Sequence, residues 1–139
     1  MFGHTRVIEI EFGDCDPAGI VYFPNYFRFF DDATAHLVSA ALGMKKREWA
    51  AAHGIVGIPV VKIATQFMAP SRFGDVVEIA SEIAAVGRTS FTVRHRLANA
   101  GTPAVAGEET RVWIAADGDG LKPRPIPETV RRALEGGGG

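Results

Sequence analysis

Two carboxylates stand one residue apart, Asp14 and Asp16, in the stretch FGDCDPAGIVYFPNYFRFFDD that runs from Phe12 to Asp32. Pro17 and Gly19 follow them, then a short apolar run, then Pro24-Asn25 at the head of an aromatic-rich segment. Proline suits the first helical turn because its missing N–H would have had no partner there. The pattern therefore predicts a helix opening at Phe23–Pro24. Its unpaired N–H groups and the positive end of its dipole would lie a short loop away from Asp16. A carboxylate facing a helix N-terminus across a gap can act on a carbonyl carbon while the amides hold the oxyanion that forms. The competing reading of Asp16 is a loop aspartate that satisfies its own turn before Pro and Gly. Asp14 reads as the residue that orients the loop. Cys15 would need a histidine to act as a nucleophile, and the nearest in sequence are His4 and His36. His53 and His95 complete the histidines. No ligand-spaced pair occurs among the four, so no metal is expected. His95 reads as a packed or interfacial residue rather than a base.

The elements that must position these groups follow from periodicity. Thr5–Phe12 alternates, with Ile8, Ile10 and Phe12 on one face and Glu9 and Glu11 on the other, which predicts a half-buried strand. Gly13–Gly19 is a loop. Pro24 to about Leu42 predicts a long helix, apolar around so much of its circumference that other elements must wrap it. Gly43 stops it, and a short helix over Lys45–His53 ends at Gly54. Four strands are predicted next. Val60–Met68 places Val61, Ile63, Thr65 and Phe67 on one side. Val76–Val86 points Val77, Ile79, Ile83 and Ala85 inward, and Ser90–Asn99 points Phe91, Val93 and Leu97 inward. Ala104–Ala116 carries Val112 and Ile114 on one face, Arg111 and Trp113 on the other. A Pro-rich crossing over Lys122–Pro127 leads to a short amphipathic helix, Glu128–Leu134. The chain reads as one α+β domain over residues 1–135 with a flexible glycine tail at 136–139. Its antiparallel sheet curls around the long helix, because a flat sheet of hairpins could not bury so apolar a helix.

Composition narrows the function classes. The 139 residues suit one domain with a sizeable core. Fifteen basic residues against sixteen acidic ones give a net charge of −1. That leaves no global electrostatic attraction to nucleic acid or to a membrane surface. One cysteine, Cys15, allows no internal disulfide. The N-terminal stretch MFGHTRVIEIEF alternates and carries charge, unlike a secretory signal or a membrane span. The expectation is a cytoplasmic protein.

The fourteen residues GDCDPAGIVYFPNY resemble the active-site signature of the hotdog-fold acyl-CoA thioesterases, in the branch of the pseudomonad-type hydroxybenzoyl-CoA enzymes and their tol-pal-associated relatives. The resemblance continues through Gly54-Ile-Val-Gly57 with Pro59, Phe73-x-Asp75-Val and Ser90-Phe91-x-x-Arg94-His95. It implies a hotdog fold, dimers made by edge-to-edge sheet pairing and often paired again into tetramers, and active sites at the dimer interface. It also implies that Asp16 acts on the thioester carbonyl, as nucleophile or as general base for water, while the Phe23 backbone N–H holds the oxyanion. Many relatives carry His where this chain has Phe23, which leaves Asp16 as the catalytic group of the motif. Tyr22, Asp31 and Ile58 are the implied substrate-binding positions. Asp31 can equally be a helix-surface acid beside Asp32. Ile58 stands where the hydroxybenzoyl enzyme has a polar Thr, which makes the acyl pocket drier. Benzoyl, phenylacetyl and medium aliphatic acyl groups therefore stay open beside 4-hydroxybenzoyl. Arg88, Ser90, Lys122 and Arg124 are the candidates for coenzyme A phosphates, against the reading of each basic residue as a solvated charge. No cofactor beyond the coenzyme A thioester substrate is expected.

Two other classes remain at this point: a binding module for acyl-CoA or acyl carriers without catalysis, and a hydratase or dehydratase. Binding alone needs no carboxylate at a thioester. Acyl-thioester hydratases typically pair a His with an acid, and no such pair can be placed here.

Overall fold

The computed structural model describes residues 1–137. Five strands make one antiparallel sheet in the order β1-β3-β4-β5-β2, with β1 at Gly3–Glu9, β2 at Val60–Phe67, β3 at Val76–Val86, β4 at Ser90–Asn99 and β5 at Thr102–Val112. The long helix α1 spans Pro24–Leu42 and α2 spans Lys46–His53. Strands β6 (Ile114–Asp117) and β7 (Gly120–Pro123) form a separate hairpin, and α3 (Glu128–Leu134) closes the chain.

Helix α1 starts and stops where the sequence says it must. Pro24 occupies its first turn, and Gly43 ends it at φ +65°, a conformation with little cost only for glycine. Its apolar faces fill the curl of the sheet. Tyr26, Phe29, Phe30 and Ala33 pack with Val77, Ile79 and Leu97 near the helix start. Leu37 and Val38 pack with Ile83, Phe91, Val93 and Trp113 further along. Phe30 is completely buried, a contribution of about 1.5–3 kcal/mol from its area alone. Sheet and helix together form the hotdog fold.

Several expectations are corrected. Strand β1 ends at Glu9, the chain tightens into a 3-10 turn at Phe12–Asp14, and Phe12 is 80% exposed against Phe73 rather than in the core. Ala85 is exposed because β3 shifts register against β4 between Ile83 and Ala85. Val61, Ile63 and Phe67 share one face of β2 as expected, and that face is exposed; β2 is the last strand of the sheet among the described residues. The predicted fourth strand breaks at Trp113, and the start of the Pro-rich crossing is strand β7. Gly136 and Gly137 donate to the Ala133 and Arg132 carbonyls and so finish α3. The rest of the predicted tail, residues 138–139, lies outside the described residues.

Candidate active site

The acid loop is a small closed hairpin. Asp16 N–H donates to Ile20 O at 2.9 Å, Tyr22 N–H donates to Asp14 O at 2.9 Å, and Cys15 bridges Val21 between them. Gly19 turns the chain at φ +80°. Val21 N–H donates to Ser71 O at 2.9 Å, which anchors the hairpin to the β2–β3 connection.

Asp14 is the fixed member of the acid pair. Its Oδ2 accepts from Glu11 N–H at 2.8 Å, its Oδ1 accepts from Arg28, and its carbonyl also takes the Asn25 amide at 2.8 Å. Asp16 is half-buried. Its Oδ1 accepts from Ala18 N–H at 2.8 Å, so the acid does close its own turn. Oδ2 has no protein donor among the described residues. Cys15 Sγ lies 3.7 Å from Glu11 O, whereas His4 and His36 stack on each other, with ring centroids 6.5 Å apart.

At the helix mouth, most donors are already used. Asn25 N–H bonds to Tyr22 O at 2.8 Å and Tyr26 N–H to Phe23 O at 3.1 Å, while Pro24 has no N–H. Phe23 N–H donates to no acceptor among the described residues. It borders a cleft of about 230 Å³ lined by Ile20, Val21, Phe23, Tyr26, Phe67 and Pro70. The Phe67 ring, from β2, meets those of Tyr26 at 5.7 Å and Phe23 at 6.2 Å. Burial pushes the Tyr26 phenol up, against the opposing pull of Ser71, so it stays neutral. Tyr22 is exposed and packs edge-on against Phe23.

Asp31 and Ile58 are joined by a residue that sequence reasoning did not single out. Arg111 Nη1 lies 2.9 Å from Asp31 Oδ1 and donates to Ile58 O at 3.0 Å. Arg111 Nε donates to Glu109 Oε1 at 3.0 Å. Thr34 donates to the same oxygen, and His95 Nε2 lies 3.3 Å from it. His95 Nδ1 lies 2.7 Å from Ser81 Oγ. Because the Thr34 hydroxyl donates to Glu109, it can only accept from His95, 3.1 Å away, so Nε2 carries a proton. Burial pushes the Glu109 carboxyl up, but hydrogen bonds from His95, Arg111 and Thr34 outweigh it and hold the group below the usual glutamate range. His95 is fully buried and its ring stacks on Phe30 at 4.6 Å. The available signal was the period of two along β5, which puts Glu109 and Arg111 on one face.

The coenzyme A candidates gather elsewhere. Ile126 N–H donates to Arg88 O at 2.8 Å, and Arg124 N–H donates to Trp113 O at 2.8 Å. The β3–β4 turn and the C-terminal crossing therefore lie side by side, with Ser90 at the start of β4 and Lys122 on β7 opposite Ala115. The far end of β4, at Asn99, bonds to Ser71 beside the acid hairpin. Ten residues of strand separate the two ends, roughly 30 Å. One chain thus brings Asp16 and Phe23 to one end of the sheet and Arg88, Ser90, Lys122 and Arg124 to the other.

A sheet curled on one helix, with an acid hairpin at the helix mouth, defines a thioesterase of the hotdog class. The chain belongs to the thioesterase-like superfamily, whose family model matches residues 10–134. It is 36% identical over 129 residues to the 4-hydroxybenzoyl-CoA thioesterase of Pseudomonas sp. strain CBS-3, covering 88% of this chain and 91% of that one. The solved structure of that Pseudomonas enzyme superposes with a TM-score of 0.89, over 96% of this chain and 99% of the other, at 32% identity. A 1,4-dihydroxy-2-naphthoyl-CoA hydrolase of Synechococcus elongatus is 32% identical over 126 residues, covering 91% of this chain and 90% of its own. A gentisyl-coenzyme A thioesterase superposes with a TM-score of 0.82 at 35% identity, covering 92% of this chain and 99% of its own. No helix of the described residues is long and apolar enough to cross a membrane.

Proposed function

We propose that this chain hydrolyses an aryl thioester of coenzyme A to the free acid and coenzyme A, with Asp16 acting on the carbonyl and the Phe23 amide holding the oxyanion. The observation that carries this is the Phe23 N–H, an amide without an acceptor among the described residues, on a cleft that Ile20 and Val21 of the acid's own hairpin help to line. Amides aimed at a developing oxyanion are worth about 2.7–4 kcal/mol each in comparable sites. Asp16 Oδ2 takes the proton as water attacks the carbonyl carbon, the oxyanion forms against Phe23, and its collapse expels the thiolate. Attack by Oδ2 itself would instead give a mixed anhydride, which water then hydrolyses. Both routes are open to a carboxylate because a thiolate leaves readily. The three relatives described above are each named for an aryl acyl group, which supports benzoyl- and hydroxybenzoyl-type substrates.

The site closes in a homodimer. Strand β2, VVKIATQF, is an uncovered edge carrying one charge and exposed Val60, Val61, Ile63 and Phe67, the kind of edge that pairs with another chain. Two-fold antiparallel pairing of β2 with its copy sets Phe67 of one protomer near Val60 of its partner. Asp16 and Phe23 of one protomer then share a site with Ile58, Asp31, Arg88 and Ser90 of its partner. Lys122 and Arg124 follow on the same side. Tyr22 borders the acyl group from the helix mouth. Such dimers pair again into a homotetramer in the cytoplasm, a placement that suits the lone Cys15.

A medium-chain aliphatic acyl group is the second reading, favoured by the apolar lining of the cleft at Phe23, with Ile20, Val21 and Phe67. Free-thiol release from benzoyl-, 4-hydroxybenzoyl- and octanoyl-CoA, by the parent and by Asp16→Asn, tests both. Aryl turnover that falls at least about 100-fold in the variant is expected for loss of the acid. Parent-like turnover in Asp16→Asn removes the acid from the mechanism. Ligand-induced thermal stabilisation with no thiol release from any of the three substrates would make the protein a binding module.

A further inference from the structure

Arg111 stands on a core-facing position of β5, its side chain only 6% exposed. A guanidinium so placed loses hydration worth several kcal/mol, which only well-made hydrogen bonds offset. Replacing such a pair by apolar side chains of similar volume is often neutral or stabilising, so burial by itself does not explain an arginine here. Its contacts do offer an explanation. Nε is fixed to Glu109, and Glu109 is held by Thr34 and His95, whose ring is clamped between Ser81 and Phe30. The guanidinium is rigid for that reason. Nη1, its free end, reaches both the Asp31 carboxylate and the Ile58 carbonyl. Asp31 lies on α1, 58% exposed, while Ile58 lies in the loop before β2. Nothing else in the described hydrogen bonds and ion pairs connects these two elements directly.

We infer that Arg111 is a positioning residue that sets the distance between the Asp31 carboxylate and the Ile58 backbone, and with it the fit of the acyl group. The inference rests on the reading of Asp31 and Ile58 as the acyl end of the site. Asp31 Oδ1 is held by the guanidinium, and the carboxylate is 58% exposed, which leaves it open to a ligand. The Ile58 backbone is held through its carbonyl, while its side chain belongs to the core cluster with Leu37 and Trp113. Lysine cannot replace this arrangement. Its ammonium is a point charge on a flexible stem and cannot serve Glu109, Asp31 and Ile58 with a planar fork.

The test uses binding, so it does not depend on turnover. Titration calorimetry compares phenacyl-CoA, a thioether ketone with no hydrolysable acyl bond, with coenzyme A alone. The proteins are the parent, Arg111→Lys and Glu109→Gln, each checked for a cooperative thermal melt. The expected result for Arg111→Lys is a loss of about tenfold or more in phenacyl-CoA affinity, because the acyl end of the site loses its fixed geometry. Coenzyme A affinity should change by less than about twofold. Glu109→Gln keeps an acceptor for Nε at similar volume and should show the same selective loss at smaller size. It carries the test if the lysine variant does not melt cooperatively. Equal losses on both ligands, or undiminished preference for phenacyl-CoA in the folded variants, would overturn the positioning role alone. A parent that binds phenacyl-CoA no better than coenzyme A would overturn the aryl reading, and the positioning role with it.

Discussion

Arg111 Nε lies 3.0 Å from Glu109 Oε1, two charged side chains on alternate residues of β5 that both point into the core. Removing Glu109 leaves the buried Arg111 with only Asp31 and the Ile58 carbonyl, and takes from Thr34 and His95 their shared acceptor. Glu109→Ala should cost about 3–5 kcal/mol, read as a lowered urea midpoint with an unchanged slope. A loss below about 1 kcal/mol would mean that water reaches the pair.

The same carboxylate sets an acid limit. Glu109 is held below the usual glutamate range in the folded chain, so the unfolded state binds its proton first as pH falls. Its contribution is complete above the ordinary glutamate range and is lost as pH falls through the folded value. Urea unfolding across the acid range should show Glu109→Gln with a flatter slope of stability against pH than the parent. Parallel curves would contradict the depressed pKa.

Gly107 has no room for a methyl group. A Cβ there would sit 2.8 Å from Phe30 Cε2 and 3.2 Å from Cδ2. The Phe30 ring is stacked on His95 and cannot easily retreat. Overpacking should outweigh alanine's better strand propensity, so Gly107→Ala should destabilise by about 1–3 kcal/mol. Thermal melting compares the two chains, and a raised melting temperature would refute the clash.

Ile63→Lys places a charge midway along the uncovered edge of β2. If that edge pairs with its copy, sedimentation should show the variant as a monomer with the parent's circular dichroism, and thiol release should fall with it. An unchanged sedimenting mass would move the interface elsewhere on the chain.

Asp14→Ala should lower kcat less than Asp16→Asn while lowering stability more. It strips acceptors from Glu11 N–H and from Arg28, for about 1–3 kcal/mol. Steady-state kinetics beside urea unfolding separates the two roles. A larger kcat loss in Asp14→Ala would exchange the assignments of the two acids.

Local chemistry was legible in the chain. Pro24 and Gly43 fix the ends of α1 because one lacks an N–H and the other tolerates positive φ. Alternation fixed β3 and β4 to the residue. Alternation failed at Phe12 and Ala85, where a turn and a register shift broke the period. It also could not say which face of the fifth strand was inside, because Arg111 and Trp113 share a face and point to opposite environments by type. Only a partner such as Glu109 makes that arginine core-compatible.

By itself the sequence determined the acid loop, the long helix and the turns that separate the strands, since each depends on neighbours a few residues apart. Tertiary structure decided that β2 pairs with β5 rather than β3, and that Asp31 and Ile58 meet on one guanidinium. It also placed the basic candidates a strand's length from Asp16. Those relations join residues far apart in the chain, and no local periodicity encodes which distant hydrogen-bond partner satisfies a buried group.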